Sequence, residues 1–251
     1  MLNELRHRDP LLFWTGAAMM LAFIVVSLLS IGDTRTIMGL NPWIKPMKFL
    51  TSVTIFMWTI AWFMPETQPN PAKRRFVSTT IAAMMAGEII LIITQAARGT
   101  TSHFNNQSAL DAAIFGAMGF MIAMNTFATM VFLWILRRDT PERRAGYLWG
   151  IRLGLVIFLL ASVEGGIIIS NNAHTVGAPD GGAGLPFVNW STTHGDLRVA
   201  HFFGMHALQI LPLIGFMTNS RNLVAATSIV WVAVMGGLLL TALNGQPLLE
   251  I

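Results

Sequence analysis

FVSTTIAAMMAGEIILIITQAA, the stretch from Phe76 to Ala97, decides how the rest of the chain is read. It holds a single charged side chain, Glu88, in a run long enough to cross the hydrocarbon core of a bilayer, which takes about 20 apolar residues. Lys73, Arg74 and Arg75 precede it and Arg98 closes it, so charge is confined to the two ends. Six more runs of this kind lie on either side: Leu11 to Ile31, Lys48 to Met64 closed by Pro65, Leu110 to Leu136, Ala145 to Ser170, Leu197 to Met217, and Leu223 to Leu243. None alternates with a period of two and the spacing is neither short nor even, which disfavours a transmembrane β-barrel. No internal repeat is visible, so an inverted-repeat architecture gets no support. The expected fold is all-α: a polytopic membrane helical bundle of about seven transmembrane helices, one domain over residues 1–251, with the loop 171–196 as a cap over one end.

Composition agrees. The chain is 54% hydrophobic and 11% charged, against about 25% charge in a soluble domain. A net charge of +4 would suit nucleic acid, but the basic residues sit in short segments between apolar runs. That is the positive-inside pattern of membrane proteins, so the expected partner is the lipid bilayer and not nucleic acid. The chain has no cysteine, which excludes disulfides, thiolate metal sites, iron–sulfur clusters and cysteine nucleophiles. The first apolar run is too long for a signal-peptide core and no small-residue cleavage pattern follows, so it reads as a retained helix.

Lysine and arginine set the expected orientation. With the N-terminus inside, the inner segments hold Arg6, Arg8, Lys73, Arg74, Arg75, Arg137, Arg138, Arg143, Arg144 and Arg221. The outer ones hold Arg35, Lys45, Lys48, Arg98 and Arg198. This bias of two to one predicts an inside N-terminus and an outside C-terminus. Absence of cysteine and short loops point to a bacterial inner membrane.

The residues that cost most in a membrane are the first functional candidates. An ionisable group at depth costs about 2.5 to 3.5 kcal/mol on insertion scales. Glu88 and Glu164 qualify as catalytic or proton-carrying carboxylates, and His206 lies on the sixth run. At 1.5 Å rise per residue all three sit roughly 10 to 15 Å below the outer helix ends. Gln95 shares the face of Glu88, Gln209 lies one turn below His206, and Asn125 is mid-membrane in the fourth run; these are supporting polar groups. Pro212 frees the carbonyl of Leu208, beside Gln209.

Of six histidines, five fall on the expected outer side: His103, His174, His194, His201 and His206. Neutral imidazole is the commonest protein metal ligand, so His103, His194, His201 and His206 are candidate ligands for copper, iron or zinc, or for haem b. Two groupings suggest themselves: a deep one of Glu88, Glu164 and His206, and a shallow one of His103, His194 and His201 with Asp196. His201 and His206 are five apart, about 140° round a helix, and cannot chelate one ion from one face. Asp196 also suits the N-cap of the sixth run.

Lys45, Lys48, Arg98 and Arg198 run against the charge bias, which makes them candidates for an anionic substrate, a lipid phosphate or haem propionates. Trp43 and Trp190 fit an interfacial aromatic belt. The pairs Gly116/Gly119 and Gly150/Gly154 are expected to mark close helix contacts. A retinal protein is set aside because the last run has no lysine for a Schiff base, and ceramidase-like hydrolases because it has no histidine. There is no nucleotide-binding motif.

The function expected from these residues is a membrane-embedded metal- or haem-dependent enzyme with an outward-facing His/carboxylate site, acting on a small or lipidic substrate by redox or Lewis-acid chemistry. The alternatives are a proton-coupled small-molecule transporter and a non-catalytic subunit or sensor of a membrane complex.

Overall fold

A computed structural model describes residues 1–137 and 144–250. Arg138 and Arg143 of the charge argument lie outside the described residues. The elements run α1 (Leu2–Arg8), α2 (Pro10–Gly32), α3 (Ile44–Phe63, extended by a 3-10 turn Met64–Glu66), α4 (Pro71–Ala97), α5 (Ala109–Ile135), α6 (Ala145–Asn171), a two-residue antiparallel ladder of β1 (Thr175–Val176) with β2 (Gly195–Asp196), α7 (Leu197–Thr218) and α8 (Arg221–Leu243). Seven of the helices, α2 to α8, are long and apolar enough to cross a membrane. Their outward faces are studded with exposed apolar residues such as Leu21 and Leu28 on α2, Phe120 and Phe127 on α5, and Ile229 on α8. A water-facing surface would not carry such faces; lipid requires them. The chain is a multi-pass membrane protein.

The helix ends follow local rules. Asp9, Asn70, Asp196 and Ser220 cap α2, α4, α7 and α8, each accepting from a backbone N–H of the first turn. Pro10 and Pro71 open α2 and α4, where a missing N–H costs nothing. Asn172 and Asn219 end α6 and α7 in the left-handed conformation, which asparagine tolerates better than most side chains.

The chain forms two compact units, residues 1–135 and 136–251. In the first, α4 packs against α2, α3 and α5, and α2 packs against α3. One end of this unit is fixed by cation–π contacts: the Arg8 guanidinium lies 4.0 Å from the Trp62 ring centre, and the Lys73 ammonium 3.8 Å from that of Trp134. The other end carries the loops 33–43 and 98–108.

In the second unit α6 and α7 are the tightest pair. A Cβ at Gly146 would stand 2.6 Å from the Asn219 carbonyl carbon, one at Gly150 2.5 Å from the Leu211 oxygen, and one at Gly154 2.8 Å from the Ala207 oxygen. From the other side, Gly215 lies against the Gly146 carbonyl. Glycine at every fourth position lets the two backbones touch. Gly116 and Gly119 differ: nothing described lies within 4 Å of a Cβ built there. The spacing places that pair on one side of α5, but no helix of the unit covers that side. The β1–β2 hairpin folds onto the end of α8, where Gly195 meets the Ala242 carbonyl.

Candidate functional site

Glu88 lies on the buried stripe of α4, 4% exposed, with Gly87 beside it leaving room for the Met121 thioether of α5. Its Oε1 is 4.0 Å from Nε2 of His103, and its buried Oε2 has no hydrogen-bond partner. On the far side of the imidazole, Nδ1 is 3.1 Å from Nζ of Lys45, in the first turn of α3, and 3.0 Å from Oγ of Ser102. An ammonium can only donate, so Nδ1 is the acceptor and the ring proton sits on Nε2, directed at Glu88. Phe49, Phe104 and Phe115 surround the ring with centroids 6.0 to 6.2 Å away. Lys45, His103 and Glu88 thus form a chain of titratable groups leading from the loops into the helix interior.

The loop carrying His103 is held by its own polar residues. Asn105 donates to the Thr100 hydroxyl at 2.9 Å and to the Thr101 carbonyl at 3.0 Å, and Phe104 is forced to a φ of +55°. A bulky residue in that region is uncommon and marks a backbone fixed by its surroundings.

Arg98 is not a free cation. It pairs with Asp111 at 2.6 Å and also donates to Gln95. Gln95, fully buried, donates to Asp111 at 2.9 Å, and the Ser108 hydroxyl donates to its other oxygen at 2.6 Å. Asp111 therefore organises this corner, a role not read from the sequence. Asp33 does the same for the neighbouring loop. It pairs with Arg35 at 2.6 Å and accepts from the Trp43 indole at 2.8 Å. The Arg35 hydrogen bonds hold its carboxyl well below the usual carboxylate range and push the guanidinium up. Trp43 is 6% exposed; its N–H has found a carboxylate, so it is a core anchor and not part of an interfacial belt.

Buried polar groups continue along the unit towards its opposite end. The Oδ1 of Asn125 on α5 is buried with no partner, and Thr129 donates to the Asn125 carbonyl at 2.9 Å. Ser78 on α4 donates to the buried cap residue Asp9. Ser78, Glu88 and Gln95 all lie on the inward stripe of α4, and the first and last are about 25 Å apart along the axis at 1.5 Å per residue.

In the second unit Glu164 is 4% exposed and both its carboxyl oxygens are buried without a hydrogen-bond partner. His201 reaches across from α7. Its Nδ1 donates to the Ala161 carbonyl at 2.7 Å, and its ring lies against Gly165. His206 turns to its own helix, Nδ1 donating to the Phe202 carbonyl at 2.7 Å, with its ring centre 4.1 Å from that of Phe202. Arg198 is held by Asp196 at 2.5 Å and by the Asn189 carbonyl, so it secures the loop. His194 lies beside Gly177 at the edge of a small recess lined by Thr175, Ser191 and Arg198. His174 pairs with Asp180 at 2.6 Å, and Asp180 also accepts from the backbone N–H groups of His174 and Thr175. Burial raises the Asp180 carboxyl, but the bonds from His174 outweigh it and hold it well below the usual range.

The expected site residues are found in both units. Lys45, His103 and Glu88 belong to one local cluster of the first unit. Glu164, His194, His201 and His206 belong to the second, where each histidine has its own neighbours. Among the described residues no group of three or more His, Asp or Glu side chains converges as a metal-ligand set. No family model, no curated protein and no solved structure matches the chain.

Proposed function

We propose that this membrane protein is a proton-coupled small-molecule carrier in which Glu88 takes up and releases the coupling proton. His103 and Lys45 connect Glu88 to water at the loop end. The observation that carries this reading is the geometry of Glu88: one oxygen faces His103 at 4.0 Å and the other is buried and free of partners. A structural carboxyl satisfies its lone pairs, and an unsatisfied one beside a histidine can change its protonation at small cost. The 4.0 Å gap exceeds a hydrogen bond, so transfer needs a side-chain shift or a bridging water.

Two further points favour a carrier over the expected metal- or haem-dependent enzyme. Buried polar groups run from Asp111 and Gln95 at one end to Ser78 and Asp9 at the other, as a pathway requires. Arg98 and Arg198, expected to hold an anion, are each taken by an aspartate. In the orientation favoured by the basic residues, the loop end faces the outside of a bacterial inner membrane.

Proton binding is measurable without knowing the substrate. Vesicles containing the protein, adsorbed on a capacitive electrode and given a rapid pH step, are expected to show a transient charge displacement. Glu88→Gln should reduce it severalfold and His103→Ala should slow it. An unchanged transient in folded Glu88→Gln protein contradicts the proposal.

A further inference from the structure

Glu164 stands apart from this reading. The proton carrier Glu88 has basic neighbours; Glu164 has none that bond it. We infer that Glu164 is a second proton-binding site, in addition to Glu88, which holds its proton as a neutral acid inside the second unit.

The argument starts from what surrounds it. Glu164 is 4% exposed, and neither carboxyl oxygen has a hydrogen-bond partner. A buried ionised carboxylate with no partner costs far more than a protonated one. The helices packed against α6 are α7 and α8. From α7 the ionisable groups are His201 and His206 in the helix body, with Arg198 at its start already paired to Asp196. His201 lies over Gly165 and spends its Nδ1 proton on the Ala161 carbonyl, so that nitrogen is not available to Glu164. His206 faces Phe202. From α8 there is none between Leu223 and Leu243. On α6 itself Arg152 is twelve residues away, about 18 Å along the axis. Among the described residues no side chain donates a hydrogen bond to the Glu164 carboxyl.

A metal cation is the other ligand a buried carboxyl could take. Hard cations need about six oxygen ligands, and no described group of acidic or histidine side chains assembles round Glu164. The proton is the ligand that fits.

Dicyclohexylcarbodiimide tests this, because it enters apolar sites and reacts with protonated carboxyls. The acid O–H adds across one C=N bond, its proton going to nitrogen, and the O-acylisourea rearranges to a stable N-acylurea with no leaving group. In membranes at neutral pH, mass spectrometry is expected to find the adduct on Glu164, with less label at higher pH and none on that peptide in Glu164→Gln. The infrared carbonyl band of a protonated acid should disappear in the same variant and persist in Glu88→Gln. Sodium should not slow the labelling. Absence of both adduct and band overturns the inference, and so does protection by sodium. Failure of the Glu88 reading would leave this test standing, since the adduct and the band are assigned by Glu164→Gln alone.

Discussion

Replacing Gly150 by leucine is expected to prevent the second unit from assembling. The new Cβ would stand 2.5 Å from the Leu211 carbonyl oxygen and 2.7 Å from the Pro212 Cα. Both are backbone atoms and cannot rotate away, so α6 and α7 must separate along the stretch from Gly146 to Gly154. Helix pairs in lipid are held by close packing, with no water-driven term to compensate. Gly150→Ala makes the same contact with less bulk and is expected to cost about 1 to 3 kcal/mol, the usual range for overpacking. Gly116→Ala on α5 is the matched control. With nothing within 4 Å of its Cβ, it should be neutral or stabilising by up to about 1 kcal/mol from helix propensity. Thermal or denaturant unfolding in detergent, followed for all three variants, checks the order.

The second large effect is expected at Asp111. Asp111→Ala removes the acceptor for Gln95, Arg98 and Ser108 together. Gln95 is fully buried and would keep an amide N–H with no acceptor. Breaking a buried ion pair on one side costs about 3 to 5 kcal/mol, but the Arg98 side chain is 37% exposed, and water would take up part of its charge. The expected loss is about 2 kcal/mol, mostly from the stranded amide. Asp111→Asn should recover part of it by accepting from Gln95. The same unfolding measurement decides, and equal stability of wild type and Asp111→Ala would contradict this account of the corner.

The seven spans were legible because each is a run of about 20 apolar residues closed by charge or proline. The start of α3 was not. The run reads as starting at Lys48, with Lys45 and Pro46 before it, whereas the helix begins at Ile44. Proline is tolerated in a first turn, so polarity there does not mark the boundary. Glu88 and Glu164 stood out as charges in apolar runs, and both keep unsatisfied oxygens, as does Asn125. What could not be read was pairing across loops. Asp111 lies near a helix start and looks like an ordinary first-turn acid; its partners Gln95 and Arg98 meet it only once the intervening loop has folded back. Trp43 looked interfacial for the same reason, its acceptor Asp33 lying in the preceding loop. Gly116/Gly119 and Gly150/Gly154 show the limit of spacing rules. Spacing says which residues share a side, and only the assembled unit says whether a neighbour covers it.

The central claim is that His103 and Glu88 share a proton. Nitrogen-15 spectra of protein labelled at histidine, with His103 assigned from a His103→Gln variant, test it most directly. At neutral pH the account predicts a bare Nδ1 facing Lys45 and a protonated Nε2 facing Glu88. It also predicts a pH profile of that resonance that changes in Glu88→Gln and is untouched in Glu164→Gln. A protonated Nδ1 with a bare Nε2, or a profile identical in wild type and Glu88→Gln, would contradict it.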